Sequence, residues 1–138
     1  MPVSAMTEKA PSKRQVLSTI FAGSAADCIE AAKAIVAGKI MVKNKVLAEV
    51  GLDKSSEKWP RIAAIYALGF IGDSRSTPKL RKILADETDD AAVRAHAAEA
   101  LGNIGDRAVV ELLRDILGHE PTLELRESCA YALDELGA

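Results

Sequence analysis

One twelve-residue pattern occurs three times between residue 61 and residue 137 of this 138-residue chain. The copies are RIAAIYALGFIG at 61–72, RAHAAEALGNIG at 94–105 and RESCAYALDELG at 126–137, offset by 33 and then 32 residues. Four columns are identical in all copies: the first Arg, an Ala, the Leu after it and the final Gly. A period of this length is typical of stacked helical units, which bury their apolar faces against one another.

Each copy has the apolar spacing of an α-helix. Apolar residues stand three, four, seven and ten positions after the Arg, on one helical face. The final Gly suits a C-terminal cap because it adopts a left-handed backbone without steric cost. Two copies are followed by a second amphipathic run, at 76–86 and 106–118, for which Thr77 and Asp106 are the expected N-caps. We therefore predict repeated pairs of antiparallel helices, in which an A helix is followed by a B helix.

The repeat register also divides the chain. It extends one period further toward the N-terminus, where Leu47 and Val50 occupy B-helix core positions. We predict a tail and capping helix at 1–24 and a repeat solenoid at 25–138 of about three and a half helix pairs. Its expected segments are an atypical pair at 25–52, clear pairs at 57–86 and 90–118, and a lone A helix at 122–136.

Composition limits the classes of function. The chain is 49% hydrophobic but only 4% aromatic, which favours closely packed helices with small residues at their contacts. The net charge of −2 makes nucleic acid an unlikely partner, because nucleic-acid-binding proteins usually carry a basic surface. Residues 1–58 carry a net charge of +3 and residues 59–138 carry −5. We interpret these charges as ordinary solvated surfaces. The alternative is that the basic N-terminal part contacts an acidic partner.

The expected location is cytoplasmic, without a membrane partner. No apolar run approaches the ~20 residues that a membrane-spanning helix needs. The two cysteines, Cys28 and Cys129, do not make a disulfide framework, and each falls among alanines on a predicted helix.

The repeat columns resemble the HEAT-like repeat, in particular the short variety named after phycobilisome lyases. The segment VRAHAAEALGNIGDRAVVELLRDIL at 93–117 is similar to that pattern almost throughout. The resemblance is clear over 59–138 and weaker over 25–52. It implies an all-α fold, a right-handed α-α superhelix. It is unspecific for function, since such repeats occur in lyase subunits, hydroxylases, glycosylase-like proteins and adaptors.

A comparison with one related family bears on metal binding. Deoxyhypusine hydroxylase holds two irons with His-Glu pairs at the start of its A helices. The corresponding pairs here are Ile62-Ala63, Ala95-His96 and Glu127-Ser128. None is His-Glu, and the one His-Glu in the sequence, His119-Glu120, lies in a predicted loop. We expect no metal, no cofactor and no catalytic residue.

The Arg column has a structural interpretation. A partly buried guanidinium needs several acceptors, and turn carbonyls with a capping carboxylate would supply them. We expect Arg94 to reach back to the turn at Asp73, and Arg126 to reach the turn at Asp106, as a ladder between units.

The expected partner surface is the outward face of the B helices. In arrays of this kind the B helices line the concave side, and the spacing of the core columns identifies the opposite face. Its residues are Lys45, Glu49, Arg81, Lys82, Glu111, Arg114 and Asp115. Charges of both signs alternate and no aromatic residue is available for base stacking, so this face suits a protein or peptide better than nucleic acid. An ordinary solvated face is an equal alternative.

The last A helix bears on oligomeric state. Its acids Glu124, Glu127, Asp134 and Glu135 favour a polar cap, whereas Tyr131 favours docking of another chain. A homo-oligomer formed through the C-terminal helix is therefore a second arrangement to test.

We interpret the chain as a non-catalytic protein-protein interaction scaffold. The alternative implied by the resemblance is a bilin (phycocyanobilin) lyase-like subunit, which needs a tetrapyrrole pocket lined by acids and aromatic residues. With so few aromatic residues, a second subunit would have to complete that pocket. Recognition of DNA lesions is a third class, which the net charge disfavours.

Overall fold

A computed structural model describes residues 10–119 and 122–138, and every regular element within them is helical. The helices are α1 (Lys13–Gln15, continued by a π-helical turn at Val16–Ile20), α2 (Ala25–Val36), α3 (Asn44–Leu52), α4 (Lys58–Ile71), α5 (Thr77–Ala85), α6 (Ala91–Ile104), α7 (Val110–His119) and α8 (Leu123–Glu135). The predicted all-α solenoid is confirmed. Residues 1–9 of the predicted tail lie outside the described residues, and the division at residue 24 stays a prediction.

The solenoid has a layer of long helices and a layer of short ones. The Arg-containing segments form the long helices α4, α6 and α8, which stack in order together with α2. The short helices are α3, α5 and α7. Each short helix packs more closely against the long helix that follows it than against the one that precedes it. The close pairs are therefore α3–α4, α5–α6 and α7–α8, so the predicted pairing, in which each long helix came first, is wrong by one helix.

Neighbouring long helices approach each other closely because glycines lie at their crossings. A methyl group on Gly102 would stand 2.8 Å from the Cα of Ala132, and one on Gly69 would stand 2.9 Å from the Cα of Ala100. Real side chains essentially never approach a backbone atom this closely. The small residues that the composition suggested are therefore what allows the long helices to stack as a rigid layer.

The ends of the long helices confirm one part of the capping prediction. Gly72 and Gly105 end α4 and α6 in the left-handed conformation, with φ of 77° and 89°. Their position after the last apolar column follows from this backbone requirement. The left-handed residue ends each helix and turns the chain toward the next short helix.

The starts of the short helices differ from the prediction by one turn. A 3₁₀ turn precedes α5 at Ser74–Ser76 and α7 at Arg107–Val109. Asp73 and Asp106 cap these turns by accepting backbone N–H groups, so Asp106 does not cap α7 directly. Thr77 is the first residue of α5 and not its N-cap.

The apolar columns of the repeat form one continuous core along the stack. The identical Leu column is buried at Leu68, Leu101 and Leu133, and Leu80 and Leu113 are buried from the short-helix side. Within residues 10–119 and 122–138, no helix has both the length and the apolar character that a bilayer crossing requires.

Candidate functional site

Two arginines of the Arg column join a short helix to the long helix that follows it. The Nε of Arg61 donates to the carbonyl oxygen of Gly51 at 2.9 Å, and the Nε of Arg94 donates to that of Leu84 at 2.9 Å. Both carbonyls lie in the last turn of a short helix, where no intrahelical donor remains. The two bonds occupy equivalent positions in two successive units and link α3 to α4 and α5 to α6.

Arg61 also forms a buried ion pair. Its Nη1 and Nη2 donate to the two carboxylate oxygens of Asp89 at 2.8 and 2.6 Å, and the side chains are 5% and 4% exposed. Burial alone raises the pKa of Asp89, but the hydrogen bonds from Arg61 and from the backbone N–H of Asp90 lower it below the usual value overall. The carboxylate is therefore held in its charged form between two units of the stack.

The predicted Arg ladder to Asp73 and Asp106 is wrong. Asp73 accepts from the side chains of Asn44, at 2.9 Å, and Arg75. Asp106 lies 3.1 Å from the Nε of Arg81. Arg126, the third member of the column, is exposed. The turn aspartates do connect neighbouring units, but they do so through Asn44 and Arg81 of the preceding short helices, because the column arginines Arg61 and Arg94 face the helix end within their own close pair.

The predicted partner surface is exposed or half-buried throughout. Arg81 is engaged with Asp106, and Arg114 pairs with Glu111 one turn away at 3.1 Å. The remaining members, placed on α3, α5 and α7, are Lys45, Glu49, Lys82 and Asp115. Its use by a partner stays a prediction.

A cavity of about 500 Å³ opens on the other layer, between three long helices. We call it the long-helix groove. Its floor is made by Gly69 and Ala100, where α4 and α6 cross. Its walls are Tyr66 and Phe70 of α4, His96, Glu99 and Asn103 of α6, and Glu124, Glu127, Ser128 and Tyr131 of α8.

Aromatic side chains are exposed along this groove. Phe70 is 56% exposed and Tyr131 is 42% exposed. The rings of Tyr66 and Phe70 lie 4.8 Å apart between centroids, tilted by 47°. A protein with only five aromatic residues therefore places three of them around one cavity.

Hydrogen bonds between neighbouring helices orient the polar groups of the groove. The hydroxyl of Tyr131 donates to the Oδ1 of Asn103 at 2.6 Å, and that of Ser128 donates to the Oε2 of Glu99 at 2.7 Å. His96 is turned toward its own helix, with Nδ1 2.9 Å from the carbonyl oxygen of Ala92. Each of the first two bonds joins α6 to α8, so the groove walls are positioned by the same stacking that builds the fold.

The groove is acidic. Glu99, Glu124 and Glu127 line it, and no Lys or Arg does. Within the described part of the chain, none of these three carboxylates forms an ion pair. The pKa of Tyr131 is raised, first by burial and then by the negative charges of Glu135 and Glu99.

A second cavity, of about 490 Å³, has the opposite charge. Lys43, Lys45, Arg75 and Lys79 line it, together with Asp73. It lies beside the starts of α3 and α5 and takes its cations from both parts of the chain, Lys43 and Lys45 from residues 1–58 and Arg75 and Lys79 from residues 59–138. We call it the basic cavity.

The sequence contains a signal for the groove beside the core positions. Five of the groove residues stand five or nine positions after the column Arg, next to the apolar columns. The fifth position holds Tyr66, Glu99 and Tyr131, and the ninth begins with Phe70 and Asn103. Only the stacking order shows that these columns from successive helices line one surface.

The histidines and cysteines do not form a metal site in the part of the chain that the structure describes. No group of three or more His, Cys, Asp or Glu side chains is arranged to hold an ion there. His119 is exposed beside Asp115, and its sequence neighbour Glu120 lies outside the described residues. Cys28 and Cys129 are buried and unbonded to each other, and burial raises the pKa of the Cys28 thiol.

Comparison with known proteins identifies the repeat. The family described as HEAT repeats matches residues 47–134, which is more than half of the chain. The match begins within α3 and ends within α8, so it spans the three close helix pairs. Among curated proteins, none matches the chain significantly. The chain belongs to the HEAT repeat family.

Proposed function

We propose that this protein is a non-catalytic interaction module that binds another protein through the long-helix groove. HEAT repeats generally serve as protein-interaction scaffolds. The observation that carries the proposal is the exposure of Phe70 and Tyr131 on the walls of one cavity. Large aromatic side chains dominate binding energy at protein interfaces, because they bury much area with little loss of side-chain entropy.

The construction of the groove supports this use. Its walls stand on three stacked helices whose spacing is set by Gly69 and Gly102. A surface held by backbone contacts loses little conformational entropy when a partner binds. The observed pairing also supports the long-helix face. In arrays of this kind the second helix of each pair lines the side that binds partners. In the close pairs of this protein, the second helix is the long one.

Two matched variants distinguish the groove from the short-helix face. Phe70→Glu/Tyr131→Glu changes the groove, and Lys82→Glu/Arg114→Glu changes the face predicted from sequence. Arg81 is left intact because its contact with Asp106 joins neighbouring units. Circular dichroism should show unchanged helicity in both.

Affinity capture from native lysate, read by mass spectrometry, then compares the variants with the parent protein. We expect the groove variant to lose the captured partner and the short-helix variant to retain it. The opposite pattern would assign the partner to the short helices, and retention by both variants would contradict binding at either surface.

A bilin lyase-like subunit is the second candidate. The specific observation in its favour is that the groove brings aromatic residues and acids together, as a tetrapyrrole pocket requires. Titration with a linear tetrapyrrole tests it. A red shift in the absorbance of the tetrapyrrole that Phe70→Glu abolishes would favour this function, and an unchanged spectrum would exclude tetrapyrrole binding by this chain alone.

A further inference from the structure

We propose that the long-helix groove receives a lysine or arginine side chain from an extended basic segment of the partner protein. This inference rests on the proposed function and names the chemistry of the partner. It follows from the charge of the groove, the position of its aromatic rings and the way its walls are held.

The charge of the groove favours a cation. Glu99 of α6 and Glu124 and Glu127 of α8 line the same cavity. Like charges gathered in this way repel one another, and a bound cation would relieve that repulsion while forming charge-assisted hydrogen bonds. An acidic peptide or a nucleic-acid phosphate would meet the opposite effect.

The aromatic rings favour the same ligand. Phe70 and Tyr66 line the α4 side and Tyr131 the α8 side, so a side chain that enters the cavity lies among aromatic residues and acids. Cations are attracted to aromatic ring faces, and the long methylene stems of Lys and Arg pack against the rings. A purely apolar helix would satisfy the rings but would desolvate the acids without compensation.

Internal hydrogen bonds leave the groove ready for such a ligand. Ser128 occupies only one oxygen of Glu99, and Glu124 and Glu127 accept no side-chain hydrogen bond within the described residues. Tyr131 is held by Asn103. The acceptors and rings therefore need little rearrangement to hold a guanidinium or ammonium group.

The test measures binding of fluorescein-labelled peptides by anisotropy at low salt. One Gly-Ser peptide carries three arginines, a second carries citrulline at the same positions, and a third carries glutamate. Citrulline keeps the shape of arginine without its charge. We expect the arginine peptide to bind about tenfold or more tightly than the citrulline peptide, and the glutamate peptide not to bind.

Variants assign that binding to the groove. Glu124→Gln/Glu127→Gln should weaken binding of the arginine peptide about tenfold, because it removes two exposed carboxylates. Glu111→Gln/Asp115→Asn makes the same change of charge on α7, where both side chains are exposed, and should change affinity less than twofold. Phe70→Leu keeps an apolar side chain but removes the ring, and should weaken binding about threefold.

The outcomes separate this inference from the proposed function. Equal binding of the arginine and citrulline peptides, or preference for the glutamate peptide, would overturn the inference, whereas partner capture that depends on Phe70 and Tyr131 would still support the function. Self-association seen by sedimentation velocity and abolished by Glu124→Gln/Glu127→Gln would also overturn it. The occupant would then be a second copy, for which the basic cavity supplies the lysines.

Discussion

The buried ion pair between Arg61 and Asp89 makes the sharpest prediction about stability. Substitution of Asp89 by Ala removes both acceptors of the guanidinium and leaves only the bond from Nε to Gly51. The Arg61 side chain is 5% exposed, so water cannot replace the lost carboxylate without local opening. The variant therefore keeps a buried charge without its counter-ion.

The magnitude follows from this geometry. Removal of one partner of a buried, hydrogen-bonded ion pair costs about 3–5 kcal/mol. For a domain of this size that corresponds to a fall in Tm of about 10–20 °C. Arg61→Met/Asp89→Ala removes the stranded charge and loses only the capping bond to Gly51, worth about 1 kcal/mol. The double variant should therefore be more stable than Asp89→Ala alone.

Urea and thermal unfolding at pH 7, followed by circular dichroism at 222 nm, measure these differences. Lys54→Ala is the matched control, because Lys54 pairs with Asp86 in the same connection at 2.8 Å but is 48% exposed. Exposed pairs contribute little, so this variant should lose much less stability. The reasoning is refuted if Asp89→Ala lowers the free energy of unfolding no more than Lys54→Ala does. It is also refuted if the loss in the double variant equals the sum of the losses in its two single variants.

Two further predictions concern packing and pH. Gly102→Ala should destabilise the fold by about 1–3 kcal/mol, because its methyl group would stand 2.8 Å from the Cα of Ala132 and force α6 and α8 apart. Gly118→Ala on α7, where no described atom beyond the local backbone of its own helix lies within 4 Å of the added group, should instead stabilise it by about 0.5–1 kcal/mol in the same urea titration; equal effects at both sites would contradict the packing argument. Arg61 lowers the pKa of Asp89 in the folded state. The stabilisation from this pair should therefore be complete above the unfolded-state pKa of about 3.9, and it should be lost as the pH falls through the lower folded-state pKa. Urea titrations between pH 7 and pH 3 should show a shallower decline for Asp89→Asn than for the parent protein, and parallel curves would show that the pair does not contribute.

The sequence by itself determined the fold class and the period of the stack. The apolar columns require helices with one buried face, and neighbouring units must cover those faces. The final glycines were correctly placed as helix ends, since Gly72 and Gly105 adopt a backbone that other residues rarely accept. These features are local or periodic, and a one-dimensional pattern can carry them.

Tertiary structure decided which helices pair and where the charged groups go. The period is the same whether a short helix packs on the long helix before it or after it, so the sequence repeat could not distinguish the two. The distinction came from Arg61 and Arg94, which bind the ends of α3 and α5. Asp89 lies 28 residues beyond Arg61, at no spacing that a helix or turn would suggest.

The candidate site likewise depended on the three-dimensional arrangement. Tyr66, Glu99 and Tyr131 belong to three separate helices, and each alone is an ordinary residue at the edge of an apolar face. The close stacking that Gly69 and Gly102 permit brings these edges together into one groove. A repeat sequence determines that its helices stack, whereas the distance and order of stacking determine which side chains share a surface.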